Sequence, residues 1–261
     1  MKVVLFCGGQ GLRLRDVSEE IPKPMLRVGH RPILWHVMKY YAHYGHRDFI
    51  LCLGHKSEVV KDYFLHYSET VSNDFVLSGG GRELKLLHKD IDDWNITFVD
   101  TGYESSIGER LLAARKFLEG EEMFLANYSD GVSDLHLPSV IERFQQGNCV
   151  AGFLCVRPPL SYHIVTLGEA DRVKTVEPAA ECGPLINGGY FILRSSIFEY
   201  LHPGEDIVTD AFSRLIPKNL LMGYRHDGFW ASMDTFKDKQ VLDRMVARGT
   251  APWEIWKNSR P

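Results

Sequence analysis

Four stretches of this chain are apolar almost without interruption: Lys2–Cys7, Asp48–Leu53, Asn95–Val99 and Glu122–Asn127. A half-exposed strand alternates apolar and polar residues, so unbroken runs of this length predict strands covered on both faces, as in a parallel sheet. Helical patterns separate them. Pro32–Tyr44 carries proline in its first turn, where a missing N–H costs nothing. Ser57–Tyr67 is a second helical segment. Ser105–Leu118 is a third, with Leu111, Leu112 and Arg115 at helical spacing. Alternating strands and helices of this kind predict an α/β fold, a doubly wound and mostly parallel Rossmann-like sheet.

Two regions depart from the alternation. Ser68–Asp93 contains Ser78-Gly79-Gly80-Gly81 within a mixed polar segment, which predicts an inserted hairpin or long loop, a candidate lid or oligomer element. Beyond Asn148 the apolar runs shorten. Val150–Val156, His163–Leu167, Val173–Val176 and Tyr190–Leu193 read as strands, with the turn-rich Pro184–Tyr190 opening the last of them. Helices return at Asp206–Leu215 and Thr235–Arg248. We expect one domain over 1–261, in which the 149–261 part adds strands to the sheet begun by the 1–148 part.

A hydrophobic content of 44% in 261 residues is enough for a sizeable core. The net charge of −4 argues against a nucleic-acid partner, which calls for a basic face. The five cysteines, Cys7, Cys52, Cys149, Cys155 and Cys182, show no metal-type pairing, and those in apolar runs are expected to be buried thiols. The first apolar run is too short for a signal peptide or a membrane span. The expected setting is the reducing cytoplasm, with no membrane partner.

The candidate chemistry starts where the first strand ends, at Cys7-Gly8-Gly9-Gln10-Gly11-Leu12-Arg13. Glycines there let backbone N–H groups approach phosphate oxygens. A Rossmann loop would place a third glycine where Leu12-Arg13-Leu14 stands, and a Walker loop would need Gly-Lys-Ser/Thr. Arg13 inside the loop instead suits a triphosphate gripped by backbone and guanidinium together. Lys23 lies between Pro22 and Pro24, which stiffen the segment that presents it; alone it would read as a loop lysine. Asp130 follows a buried strand, the place where open α/β sheets hold ligands, and suits Mg²⁺ or a simple turn. Asp234 ends the Phe229–Ser232 run; helix capping explains it unless it pairs with Asp130. Glu177 and Asn187 sit at strand ends, suited to hydroxyl groups or to plain solvent exposure.

Taken together, Cys7–Leu14, Lys23-Pro24-Met25, Val99-Asp100-Thr101-Gly102, Ser129-Asp130-Gly131, Ile186-Asn187-Gly188-Gly189 and Gly228–Thr235 resemble the sugar-1-phosphate nucleotidylyltransferases nearly end to end. Trp35-His36 and Ala251-Pro252-Trp253 point to the cytidylyl-transferring branch. The resemblance implies Mg²⁺-dependent transfer from CTP to a sugar 1-phosphate, with glucose 1-phosphate the default acceptor, yielding a CDP-sugar and pyrophosphate. It implies that Cys7, Gly8, Gly9, Gly11, Leu12 and Arg13 cradle the nucleotide, with Arg110 near it in the turn after Thr101-Gly102. It also implies that Arg13 and Lys23 act on the phosphates, that Asp130 and Asp234 share Mg²⁺, and that Tyr128, Glu177, Asn187 and Gly188 line the sugar pocket. A homo-oligomer, commonly a hexamer, is the implied assembly. The chain departs from the family at Glu177-Pro178-Ala179, where Glu-Lys-Pro is usual, and at Ser129, where glycine is usual. These changes leave open a different acceptor, phosphate or phosphonate, a different NTP, or a catalytically weak nucleotide-binding homologue.

Overall fold

β1 (Val3–Phe6) shows why the first apolar run is continuous. Val3 and Leu5 enter one hydrophobic cluster, while Val4 and Phe6 enter a second on the opposite face. Successive side chains on a strand point to opposite sides, so a strand covered twice has no polar face. The computed structural model describes residues 1–9, 21–158 and 162–257.

From β1 the chain passes through short strands β2 (Arg27–Val28) and β3 (Arg31–Pro32) into helix α1 (Ile33–His43). β4 (Asp48–Leu53), α2 (Ser57–Leu65), the β5 (Phe75–Ser78) and β6 (Glu83–Leu86) hairpin, and β7 (Asn95–Asp100) follow. Next come α3 (Ile107–Ala114), β8 (Met123–Asn127), β9 (Gly131–Ser133) and α4 (Leu137–Gln145). The second half supplies β10 (Ala151–Val156), β11 (His163–Leu167), β12 (Val173–Pro178), β13 (Ile186–Arg194), β14 (Leu221–Arg225), β15 (Trp230–Ser232) and α5 (Phe236–Ala247).

Seven strands form the central sheet in the order β14-β10-β13-β8-β1-β4-β7. The β8–β1, β1–β4, β4–β7 and β10–β14 pairs are parallel, and β13 runs antiparallel to both its neighbours. Strands from both halves thus share one sheet. α1 packs with Trp253 and Trp256 on one face, whereas Leu111 and Ala114 of α3 pack with Ile197 and Phe212 on the other. This is the expected α/β architecture, with the inserted hairpin in place.

The differences are local. The third helix is shorter than the pattern predicts: Ser106 and Glu109 form a reciprocal capping box that starts α3, and a 3₁₀ turn over Arg115–Leu118 ends it. The Asp206–Leu215 segment begins as a π-turn, Ile207–Ala211, with the Asp206 side chain accepting from the Val208 and Thr209 amides. β9, α4 and β14 were not anticipated, although Leu137, Val140 and Phe144 give α4 a buried stripe at helical spacing. β13 opens at Ile186, so Asn187 and Gly188 belong to the strand rather than to a turn before it. Cys7 and Cys52 are buried, but Cys149 and Cys155 are only partly so and Cys182 is exposed; all five are free thiols. No helix among the described residues is long and apolar enough to cross a membrane.

Candidate active site

The parallel strands β1, β4, β7 and β8 all end at one edge of the sheet, and Cys7–Gly9, Gly54, Thr101–Gly102 and Tyr128–Asp130 leave from there. Open α/β sheets bind ligands along this edge. A cavity of about 260 Å³ lies there, walled by Phe6, Gly9, Lys23, Pro24, Ile107, Tyr128, Ser129 and Asp130. A hollow of about 330 Å³, near Lys39, Arg47, Lys89 and Trp94, lies at the opposite edge, where β4 and β7 begin rather than end.

Asp130 and Asp234 converge beside the cavity because of a two-stranded ribbon. β9 and β15 pair antiparallel in the register Gly131↔Ser232, and the Met233 amide donates to the Asp130 carbonyl at 3.0 Å. This register places one aspartate just before β9 and the other just after β15, at the same end of the ribbon. Trp230 Nε1 donates to the Gly188 carbonyl at 2.8 Å, and the Phe229 amide donates to Asp134 at 2.9 Å, so β15 is fastened on both sides. Asp234 is not the helix cap. Thr235 caps α5 and exchanges the reciprocal bonds with Asp238, so capping does not account for Asp234.

Lys23 joins the two carboxylates. Its Nζ donates to Asp130 Oδ2 at 2.7 Å and to Asp234 Oδ1 at 2.6 Å. A 3₁₀ turn over Lys23–Met25 presents it, with Pro22 at φ −66° before it and Pro24 and Met25 buried beneath. Burial lowers the ammonium's proton affinity, but the two carboxylates outweigh this and Lys23 titrates above the usual lysine value. Burial raises the Asp130 carboxyl, and Lys23 only partly offsets that rise, which nearby Asp234 reinforces.

Arg110 is helical rather than part of a turn, and it is buried. Its NH1 donates to the Leu53 carbonyl (3.1 Å), Thr101 Oγ1 (2.6 Å) and the Gly102 carbonyl (3.0 Å); its NH2 donates to the Gly8 carbonyl (2.8 Å). One guanidinium thus ties the ends of β1, β4 and β7 together at the same edge of the sheet. A Cβ on Gly8 would lie 2.1 Å from Arg110 NH1, which explains why glycine stands there. Cys7 is buried and its thiol is pushed up to about 12, chiefly by burial, so it is a packing residue and not a nucleophile.

Ser129 adopts φ +65°, a left-handed conformation that favours glycine. Its Oγ donates to the Phe6 carbonyl at 2.7 Å and its amide donates to Asn127 Oδ1 at 2.9 Å, which holds this backbone in place. Tyr128 borders the cavity and its hydroxyl accepts from Asn187 Nδ2 at 3.3 Å. Gly188 follows Asn187 in β13, next to Trp230. These residues, with Lys23, Asp130 and Asp234, are brought together. Glu177 is not drawn into the cluster: it is exposed on β12 of the separate β11–β12 hairpin, and Thr175 Oγ1 donates to it at 3.4 Å. Gly11, Leu12 and Arg13 lie outside the described residues. The resemblance implies Arg110 near the nucleotide but not its bracing role, because its acceptors are mostly main-chain carbonyls, which no residue type announces.

The nucleotidyl transferase family profile matches residues 2–238. The chain is 35% identical over 261 residues to the glucose-1-phosphate cytidylyltransferase of Salmonella typhi, covering 98% of this chain and 100% of that one. Over 258 residues it is also 35% identical to the probable glucose-1-phosphate cytidylyltransferase of Bacillus subtilis, again covering 98% and 100%. Among solved structures, a UDP-glucose pyrophosphorylase complexed with UDP-glucose superposes with a TM-score of 0.68 at 18% identity, covering 95% of this chain and 98% of that one. HddC from Yersinia pseudotuberculosis superposes with a TM-score of 0.66 at 20% identity, covering 94% and 99%. At these identities the structures establish a shared fold.

Proposed function

Because this chain belongs to the nucleotidyl transferase family of enzymes, we propose that it transfers a cytidylyl group from CTP to a sugar 1-phosphate, glucose 1-phosphate by default, releasing pyrophosphate and a CDP-sugar. One observation carries this reading: Lys23 Nζ sits between Asp130 and Asp234, 2.7 and 2.6 Å away, beside the cavity at the sheet edge.

In this reaction a phosphate oxygen of the sugar phosphate attacks the α-phosphorus of CTP. A P–O bond forms there as the bond to the bridging α–β oxygen breaks, and pyrophosphate leaves with that electron pair. The nucleophile is already an anion at neutral pH, so the protein needs no general base. What opposes reaction is repulsion between two polyanions, about 4 kcal/mol per pair of unit charges 4 Å apart at an effective dielectric of about 20. Positioned positive charge offsets it. Lys23, held on its proline-flanked turn, is suited to bind phosphate oxygens. Arg110 holds the Gly8 carbonyl by donating to it, which fixes the backbone at the end of β1. Tyr128, Asn187 and Gly188 border the acceptor side, and Arg13 belongs to the same proposal by sequence alone.

Asp130 and Asp234 would hold Mg²⁺. The pair already embraces a cation, the Lys23 ammonium, and supplies hard oxygen donors, so the residues fit the ion. Mg²⁺ commonly takes one or two carboxylates, with phosphates and water completing its shell. Bound there, Mg²⁺ supplies Lewis-acid stabilisation of charge on the phosphates.

Assembly into a homo-oligomer, a cytoplasmic setting and a single domain belong to the same proposal. Exposed Phe75, Val76, Leu77 and Leu84 on the β5–β6 hairpin support the assembly. A second reading keeps the chemistry and changes a substrate: Pro178 stands where the family's lysine is usual, and Glu177 lies exposed. Pyrophosphate release, measured for CTP, UTP, dTTP, GTP and ATP against sugar phosphates and phosphonates, decides between them. Release with CTP and glucose 1-phosphate supports the first reading, and release with another pair supports the second. Tight CTP binding without release for any acceptor would overturn both.

A further inference from the structure

We infer that the Lys23 ammonium is a built-in occupant of the carboxylate pair, and that a divalent cation gains access only when nucleotide phosphates take the ammonium away. This rests on the proposed assignment of Asp130 and Asp234 as metal ligands and adds a rule of entry to it. The geometry is direct. Nζ lies 2.6 Å from Asp234 Oδ1 and 2.7 Å from Asp130 Oδ2, so the point shared by the two carboxylates is already filled by a positive charge. Cation and ammonium cannot occupy it together, on steric as well as electrostatic grounds.

The ammonium cannot leave with its backbone. The Met25 amide donates to the Pro22 carbonyl at 2.8 Å and the Leu26 amide to the Lys23 carbonyl at 3.1 Å, and Pro24 and Met25 are buried. Only the side-chain torsions are free, and the space they can sweep is the cavity beside Gly9 and Tyr128. An empty cavity would offer a departing ammonium no anion, and leaving two charge-assisted bonds for none is unfavourable. A triphosphate in that cavity supplies new anionic acceptors for the ammonium, and its oxygens with the vacated carboxylates would offer a divalent cation a set of hard oxygen donors. Metal and nucleotide binding are then coupled, each raising the affinity of the other by the same factor. The arrangement also protects the fold, because two carboxylates this close keep a counter-charge in the absence of ligand.

The test is direct binding of Mn²⁺ alone, followed by the paramagnetic resonance of the free ion, with far-UV circular dichroism confirming folding. Lys23→Met is expected to raise Mn²⁺ affinity in the absence of nucleotide by tenfold or more, and Lys23→Arg, which keeps a cation there, to leave it within about threefold of the unmodified enzyme. In parallel, the gain in Mn²⁺ affinity produced by CTP is expected to shrink at least tenfold in Lys23→Met. Where Lys23→Met is not recovered folded, Lys23→Gln serves the same purpose. Mn²⁺ affinity that is unchanged or weaker in the neutral variants overturns the inference. A separate control protects the reading beneath it: if the double variant Asp130→Asn/Asp234→Asn binds Mn²⁺ as the unmodified enzyme does, the metal assignment itself fails, whatever the lysine variants show.

Discussion

Replacing His36 should remove a defined part of the protein's acid sensitivity. His36 is buried in α1. Its Nε2 lies 2.9 Å from the Val28 carbonyl, and Trp253 Nε1 donates to its Nδ1 at 3.3 Å. A carbonyl only accepts and an indole N–H only donates, so these partners select the neutral ring with its proton on Nε2. Protonating Nδ1 would set two donors against each other in a dry site. Burial accordingly holds the imidazole down to about 4, against an ordinary value of 6.5, with the Val28 hydrogen bond opposing and Lys257 and Arg31 adding to the drop. The sign follows from linkage. Between these two values the unfolded chain binds a proton that the folded protein does not, so stability falls as the pH falls. The full effect is about 3 kcal/mol, of which about 2 kcal/mol is lost between about pH 7.5 and about pH 5. Urea unfolding at those two pH values, for the native chain and for His36→Gln, measures it. His46, likewise lowered to about 4 by burial, contributes to both proteins and cancels in the difference. The variant should lose about 2 kcal/mol less on acidification. Equal losses would mean that the ring is not held neutral and that the Val28–His36–Trp253 chain is wrongly drawn.

Four further outcomes test the site. Asp130→Asn and Asp234→Asn should each leave the fold intact by circular dichroism yet lower metal-dependent turnover by at least about 100-fold, measured as pyrophosphate release. Gly8→Ala should drive a methyl group into Arg110, costing about 1–3 kcal/mol in thermal or urea unfolding and weakening nucleotide binding by calorimetry. Ser129→Ala should cost about 1–2 kcal/mol, because the Phe6 carbonyl loses its buried donor. Ser129→Gly should be more stable than Ser129→Ala by about 1 kcal/mol, because glycine relieves the positive φ.

The central sheet was legible because burial on both faces leaves its mark residue by residue: Asp48–Leu53 coincides with β4, and Glu122–Asn127 contains the fully buried β8, Met123–Asn127. β9 and β14 left no such mark. β9 has only three residues, and its pairing with β15 lies about a hundred residues away along the chain. The candidate site was legible in the chemical character of its members, since two aspartates and a lysine beside a glycine turn announce phosphate and metal. Their mutual contacts were not, because a lysine predicted to face phosphates is satisfied by carboxylates that only the β9–β15 register delivers. Asp234 was ambiguous for a related reason. Asp and Thr both cap helices, and only the observed bonds show that Thr235 takes that role and leaves Asp234 for Lys23.

That register also bears on when, during synthesis, the carboxylate pair can form. Asp234 lies 211 residues after Lys23, and the strand that delivers it to the cluster follows β1, β4, β7 and β8 in the chain. A nascent chain that has already completed β1, β4, β7 and β8 still has half of its carboxylate pair missing. If Asp130 and Asp234 together hold the metal, as proposed, premature termination or proteolytic trimming ahead of Trp230 would yield fragments that lack Asp234 and perform no transfer.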